Sequence, residues 1–204
     1  MRGDEKGIET IMKDAMTEWE KKGGVKFLRK IGLAAGQTVL DFGARIGHYS
    51  IPAARIVGST GRIYALDQDR QELDELSRKI EHLNLNNIEI VPTNGGVALD
   101  FEDEAIDVVL FYDVLHYLER QEREKLYIEA RRVLKGSGFI SVYPKHVIED
   151  SPLDQFEHCH WDDVRKEIQD PGFEFEAKYC DTISHDDFLN SGCVFNFIKD
   201  LDWD

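Results

Sequence analysis

The segment at residues 39–47, VLDFGARIG, carries the clearest signal of the fold. Its first residues form a short apolar strand that breaks into a turn. Gly43 and Gly47 stand where a side chain would obstruct a close ligand or a tight turn. From residue 50 to 57 the pattern becomes helical. Backbone N–H groups at the start of that helix would face the turn, where they favour a carboxylate or a phosphate.

A second strand-like run, RIYALD at residues 62–67, follows this helix and ends in Asp67. Asp67 comes twenty positions after Gly47 (67 − 47). In nucleotide-binding βαβ units an acid at about that distance hydrogen-bonds a ribose hydroxyl. The alternative is an aspartate that merely starts the turn before the next helix. The order of strand, glycine turn, helix, strand and acid favours the ribose role.

The rest of the chain continues to alternate helix and strand patterns. The run at residues 106–111 is apolar apart from Asp107, which is typical of a strand buried on both faces of a parallel sheet. Two strand-like runs, 173–183 and 193–199, close the chain. The nine residues between them are too few for a crossover helix, so these strands are expected to pair antiparallel. This pattern predicts an α/β fold with an antiparallel C-terminal hairpin.

Composition restricts the class of protein and its partners. The chain has 204 residues, 42% of them hydrophobic, and a formal net charge of −15, which fits one soluble globular domain. An acidic surface repels phosphate backbones and anionic lipid, so we expect neither nucleic acid nor a membrane as partner. The three cysteines, Cys159, Cys180 and Cys193, are odd in number and scattered. They predict reduced thiols and a cytoplasmic location.

Four segments resemble the cofactor motifs of the class I S-adenosylmethionine-dependent methyltransferases, in that family's order and spacing. They are residues 39–67, 87–92, 101–118 and 129–144. The resemblance extends over about residues 32–199. It implies a doubly wound, seven-stranded, mostly parallel Rossmann-like sheet closed by the C-terminal hairpin. It also implies S-adenosylmethionine as cofactor and methyl transfer to a small-molecule acceptor.

The resemblance further implies which residues form the site. The glycine turn would mark the methionine end of the cofactor, Asp67 would bind the ribose, and the loop after the third strand would border the adenine. The resulting cofactor-binding set is Asp41, Gly43, Ala44, Arg45, Gly47, Asp67, Gln68, Asn94, Gly95 and Tyr112. Asp113 and His116, after the fourth strand, are the candidate catalytic residues. The alternatives are a helix cap for Asp113 and one structural hydrogen bond for His116.

Two positions depart from the family's pattern. Arg45 stands where the family usually has its middle glycine, and Asn94 replaces an acid often found after the third strand. These departures motivate an alternative, a methyltransferase-like cofactor-binding protein with weakened or lost catalysis. A nicotinamide-dependent reductase is a third interpretation. It is disfavoured because no Tyr-x-x-x-Lys pair is present and because Asp41 precedes the glycines.

The N-terminal segment carries one apolar stripe of an amphipathic helix, at Ile8, Ile11, Met12, Ala15, Met16 and Trp19. Gly23-Gly24 is expected to end this helix. We expect residues 1–31 to form a helical cap and residues 32–204 the cofactor-binding methyltransferase domain. The stripe has three interpretations: a lid over the substrate pocket, part of the core, or the contact of a homodimer.

His158-Cys159-His160, together with His146 and Cys180, offers metal-ligating side chains. Adjacent residues of a strand point to opposite faces, however, and no paired ligand motif such as CxxC is present. The sequence therefore predicts no metal ion.

Overall fold

The fold is a single seven-stranded sheet in a computed structural model that describes residues 11–203. The strand order is β3–β2–β1–β4–β5–β7–β6. The strands are β1 (Thr38–Phe42), β2 (Arg62–Asp67), β3 (Ile88–Pro92), β4 (Ile106–Tyr112), β5 (Leu134–Tyr143), β6 (Phe173–His185) and β7 (Phe188–Lys199). The first five strands are parallel, and β7 runs antiparallel to β5 and β6. The predicted doubly wound α/β fold with its C-terminal hairpin is confirmed.

Helices cover both faces of the sheet. They are α1 (residues 11–18), α2 (Gly24–Lys30), α3 (Ser50–Val57), α4 (Arg70–Leu83), α5 (Arg120–Val133) and α6 (Trp161–Gln169). The central strand β4 shows why both faces need cover. Val109 and Phe111 belong to the core beneath α5 and α6, whereas Val108 and Leu110 belong to the core beneath α2 and α3. Within residues 11–203 no helix combines the length and the apolar character needed to span a membrane.

The chain does not break at Gly23-Gly24, contrary to the sequence-based expectation. A π-helical turn, Trp19–Gly23, connects α1 directly to α2. A Cβ atom on Gly23 would lie 2.8 Å from the Trp19 ring, and one on Gly24 would lie 2.9 Å from Pro52 of α3. The two glycines therefore serve close packing, and helical dihedral angles continue through them.

Only part of the predicted N-terminal stripe is buried. Met16 and Trp19 lie in the core, and the Trp19 ring centroid is 6.1 Å from those of both Phe27 and Tyr49. Ile11 is exposed, and Ile8 lies outside the described residues. Met16 and Trp19 thus pack as core.

The C-terminal hairpin is longer than the sequence pattern indicates. Strands β6 and β7 pair down to His185 opposite Phe188, so the turn contains only Asp186 and Asp187. The predicted nine-residue connection is wrong, because the polar segment 184–192 continues the ladder without apolar alternation. This extra length carries the tip of the hairpin past the end of β5.

The expectation of three reduced cysteines is also wrong. Cys180 and Cys193 stand directly opposite each other on β6 and β7 and form a disulfide, whereas Cys159 is a free thiol. The two cysteines are thirteen residues apart in the chain, and the hairpin turn between them sets the register that brings them together. Counting cysteines could not reveal it, since an odd total says nothing about which two face each other.

Candidate active site

A pocket lies at the carboxyl ends of β1, β2 and β4. Strand β1 pairs with β2 on one side and with β4 on the other, so the chain direction across the sheet reverses at β1. In open α/β sheets such a reversal leaves a crevice in which ligands bind. The pocket has a volume of about 320 Å³, at the lower end of the range for small-molecule sites.

The glycine turn forms the floor of the pocket, and its two glycines, Gly43 and Gly47, have different structural roles. Gly43 has φ 84° and lines the pocket, and a Cβ atom there would lie 2.9 Å from Val114. Gly47 has φ 88°, but a Cβ atom there would clash with Leu76 of α4. Gly47 therefore allows helix α4 to pack against the turn and does not itself line the pocket. Ala44 lies between them and lines it.

Arg45 occupies the middle-glycine position with a left-handed backbone, φ 46°. An L-residue there costs about 1–2 kcal/mol relative to glycine. The guanidinium lies 3.3 Å from the carboxylate of Glu72 and 3.2 Å from that of Asp186, and 3.9 Å from that of Asp187. The side chain thus connects the glycine turn to helix α4 and to the hairpin tip.

Asp67 ends β2 at the edge of the pocket, as predicted. Its Oδ2 accepts a hydrogen bond from the backbone N–H of Arg45 at 2.8 Å, and its Oδ1 accepts one from that of Asp69 at 2.9 Å. These bonds fix the orientation of the carboxylate. Each oxygen keeps a second lone pair, which a ribose hydroxyl can use.

The residues expected near the adenine separate into two groups. Gln68 and Gly95 line the pocket, and Gly95 has φ 82° where a Cβ atom would clash with the Gln68 carboxamide. Asn94 lines only a shallow depression beside it. Its Oδ1 accepts a hydrogen bond from the backbone N–H of Gly96 at 3.1 Å.

Asp41 is buried at the end of β1, with 3% of its surface exposed. The hydroxyl of Ser50, the first residue of α3, donates a hydrogen bond to its Oδ2 at 2.6 Å. Burial raises the pKa of Asp41 to about 6, against the opposing effect of the Ser50 hydrogen bond. The start of α3 therefore holds one buried carboxyl group against the floor of the pocket.

Asp113 and Tyr112 follow at the end of β4 and line the pocket. Asp113 has a left-handed backbone, φ 56°, and its Oδ2 accepts a hydrogen bond from Nδ1 of His185 at the hairpin tip. Burial raises the pKa of Asp113, and the charge of His185 opposes that effect. The Tyr112 hydroxyl lies 2.8 Å from Oγ of Ser141.

His116 lies behind Asp113 and does not line the pocket. It is 1% exposed, and neither ring nitrogen has a hydrogen-bond partner among residues 11–203. Its Nδ1 is 3.8 Å from Asp113 Oδ1, too far for a hydrogen bond. Burial lowers the pKa of His116 to about 4, and the charges of His146 and His185 add to this effect. The ring is therefore neutral at neutral pH.

Sequence reasoning missed the wall of the pocket that the hairpin tip supplies. Ser184, His185 and Asp186 line the pocket, and so do Tyr49 and Tyr117. The polar segment around His185 gives no sequence signal of this position, which depends on the sheet order and the length of β6 and β7.

The N-terminal segment reaches the site only indirectly. None of residues 11–31 lines the pocket. Oε1 of Glu20, in the π-helical turn, lies 2.9 Å from Nδ1 of His48 and 2.9 Å from Nζ of Lys79, beside the glycine turn. The assignment of residues 1–31 as a separate cap stays a prediction.

Comparison with known proteins identifies the family. A family model described as a methyltransferase domain matches residues 39–138, which include every predicted site residue. The chain belongs to the class I S-adenosylmethionine-dependent methyltransferases. A solved S-adenosylmethionine-dependent methyltransferase from Aquifex aeolicus has the same fold, with a TM-score of 0.69 and 22% identity over 92% of this chain and 95% of that one.

Curated methyltransferases match part of the chain. A probable cobalt-precorrin-6B C(15)-methyltransferase (decarboxylating) of Sulfurisphaera tokodaii is 27% identical over 65% of this chain. A demethylmenaquinone methyltransferase of Oceanobacillus iheyensis is 32% identical over 40% of it. The matched segments cover 65% and 34% of those two proteins. The fold alone does not fix the reaction, since the [4+2]-cyclase SpnF also shares it, with a TM-score of 0.65 and 14% identity over 82% of this chain and 77% of that one.

Proposed function

We propose that the chain binds S-adenosylmethionine in this pocket and transfers its methyl group to a small-molecule acceptor. One observation carries the proposal: carboxylates at the ends of three strands, Asp41, Asp67 and Asp113, line a single pocket. In this arrangement Asp67 accepts the ribose hydroxyls. Asp41 and Asp113 then lie beside the cationic methionine half of the cofactor.

The charge of the pocket favours this cofactor. Six of the described lining residues are acids, Asp41, Asp67, Asp69, Glu72, Asp113 and Asp186, and Arg45 is their one arginine. S-adenosylmethionine carries a sulfonium and an ammonium against one carboxylate, so its net charge is positive and is attracted to the acidic wall. The pyrophosphate of a nicotinamide dinucleotide would be repelled. The reductase interpretation is therefore disfavoured on electrostatic grounds.

The acceptor end of the pocket contains a histidine–aspartate pair. Asp113 accepts the hydrogen bond from Nδ1–H of His185, so in the neutral form of that ring Nε2 carries the lone pair. Methyl transfer requires chiefly that the acceptor atom be aligned with the methyl group. A base is needed only when the acceptor must lose a proton, and His185 lines the pocket whereas His116 does not. We propose that His185 has the catalytic role that the sequence analysis assigned to His116.

The acceptor class follows from the relatives and from composition. The relatives are named for a cobalt-precorrin and for demethylmenaquinone, both small molecules. An acidic chain with net charge −15 is a poor ligand for nucleic acid. The cytoplasmic location and the homodimer stay predictions.

Calorimetric titration with S-adenosylmethionine, S-adenosylhomocysteine and NADH in parallel tests the cofactor. We expect the first two to bind and NADH not to bind. Asp67→Ala should weaken S-adenosylmethionine binding by about 1.5–3 kcal/mol, or roughly 10- to 150-fold, the range for hydrogen bonds to a charged group. The exposed Asp74 of α4 gives a matched control, since Asp74→Ala removes the same charge far from the ribose. Equal binding by wild type and Asp67→Ala would reject the ribose assignment.

A methyltransferase-like cofactor-binding protein with weakened or lost catalysis remains the second candidate. Two observations favour it: Arg45 has the left-handed conformation usually given to glycine, and Asn94 lies outside the main pocket. Formation of S-adenosylhomocysteine across a panel of quinone, tetrapyrrole and phenol acceptors distinguishes the two. Product with any acceptor supports the enzyme. Tight cofactor binding without product from any acceptor of the panel would favour the cofactor-binding protein that has lost catalysis.

A further inference from the structure

Three side chains converge behind the acceptor end of the pocket: Asp113 after β4, His116 three residues later, and His146 in the loop after β5. Asp113 Oδ1 lies 3.8 Å from Nδ1 of His116 and 3.7 Å from Nε2 of His146. One ligating atom from each of the three lies within 4.8 Å of the other two. Two imidazoles and one carboxylate form a common ligand set for Zn²⁺ and for non-haem Fe²⁺.

The polar atoms that face one another here lack partners. Both ring nitrogens of His116 and Oδ1 of Asp113 are buried without a hydrogen bond among the described residues. Leaving such a group unsatisfied is costly, and an ion between the side chains would satisfy Asp113 Oδ1 and one ring nitrogen of His116. His116 is 1% exposed, so bulk water does not compensate for this loss.

The hydrogen bonds around the cluster hold these atoms in ligating form. Nδ1 of His146 lies 2.9 Å from the backbone carbonyl oxygen of Ser151 and donates its proton there. In the neutral ring Nε2 therefore presents a lone pair to Asp113 Oδ1 at 3.7 Å, an arrangement that a cation between the two atoms would stabilise. Asp113 Oδ2 is already occupied by His185. A fixed tautomer and a hydrogen-bonded carboxylate are the outer contacts usual around metal ligands.

Two of the three separations between the ligand atoms lie close to those around a metal ion. Bonds of about 2.0–2.1 Å in a tetrahedral site place neighbouring ligand atoms about 3.3–3.4 Å apart. The two measured separations exceed this by less than about half an ångström. The His116 ring is held between Tyr117 and His146, at centroid distances of 3.9 and 4.5 Å.

We propose that Asp113, His116 and His146 bind one divalent transition-metal ion, of the Zn²⁺ or Fe²⁺ type, beside the acceptor end of the pocket. Of the metal-ligating side chains that the sequence offered, only His146 belongs to this set, and His158, Cys159 and His160 do not. His160 lies instead at the start of α6, with its Nδ1 3.0 Å from Glu149. The role of the ion rests on the proposed function: it would bind an oxygen or sulfur of the acceptor and lower the pKa of that atom. The binding of the ion does not depend on that function.

Metal content and the optical spectrum of bound Co²⁺ test the proposal. The full chain without a histidine tag is treated with EDTA, dialysed against Zn²⁺ or Co²⁺, and analysed by mass spectrometry. We expect about one ion per chain and ligand-field absorption from Co²⁺. His146→Ala and Asp113→Asn should each weaken binding by more than the roughly 10- to 100-fold typical of an outer contact. Having two variants keeps the test valid if one does not fold.

A double variant of two exposed histidines, His82→Ala with His158→Ala, is the matched control and should bind the ion as wild type does. Absence of a bound ion in the wild type would overturn the proposal, and so would unchanged binding in both cluster variants or loss in the control. Cofactor titration of the metal-free chain is a separate measurement. Cofactor binding without metal binding therefore rejects only this inference, whereas metal binding without cofactor binding rejects only the proposed function.

Discussion

Replacing Asp41 by asparagine should make the protein more stable and at the same time a poorer cofactor binder. Asp41 is 3% exposed, and burial raises its pKa from 3.8 to about 6. This rise in pKa corresponds to about 3 kcal/mol by which the folded protein disfavours the charged form. Asparagine keeps an oxygen that can accept the Ser50 hydrogen bond but carries no charge.

The sign of the pH dependence follows from the direction of this shift. The native state holds the Asp41 proton more tightly than the unfolded chain, so this group lowers the free energy of unfolding as pH rises from about 4 to about 6. Asparagine does not titrate, so the Asp41→Asn variant does not lose stability in this pH range for that reason. The stability difference between variant and wild type should therefore be near zero at about pH 4 and reach about 1–3 kcal/mol above about pH 7.

Urea unfolding across this pH range measures the difference, and calorimetry measures S-adenosylmethionine binding by the same samples. We expect the cofactor to bind about 10-fold or more weakly, because a charge beside its ammonium group is lost. Asp74→Asn is the control, since it removes a charge from an exposed site. A variant that is no more stable than wild type at about pH 8 would refute the reasoning, because it would show that Ser50 alone offsets the burial of the charge.

Three further predictions concern backbone, core and hairpin. Arg45→Gly should be more stable than Arg45→Ala by about 1–2 kcal/mol in urea unfolding, since both lose the guanidinium contacts and only glycine relieves the left-handed backbone; equal stability would contradict the strain. Trp19→Ala should cost about 3–5 kcal/mol of unfolding free energy as a buried core residue, whereas a lid residue would affect turnover alone. Cys193→Ser should lower stability by up to about 3 kcal/mol under non-reducing conditions, from loss of a thirteen-residue cross-link. Unchanged stability would show that the ladder between β6 and β7 fixes the register unaided.

Local patterns predicted the strands and helices that build the pocket because their signals are short-range. The signals of the apolar run in β4 and of the glycine turn after β1 come from residues that are close together in the sequence. Asp67 was assigned by its distance from Gly47, and it ends β2 at the pocket as that spacing requires. At Gly47 the structure adds a requirement that no local pattern identifies, because a Cβ atom there would clash with Leu76 of α4.

The sequence by itself determined the α/β class, the position of the pocket at the carboxyl ends of the strands, and the three carboxylates at or next to the ends of β1, β2 and β4. Only the tertiary structure decided the rest of the site. The sheet order brings the hairpin tip beside β4, so His185 bonds to Asp113 although 72 residues separate them. It likewise joins Cys180 to Cys193 and brings His146 to His116. Such contacts depend on register and on which strands are neighbours, and these are set by packing of the whole sheet.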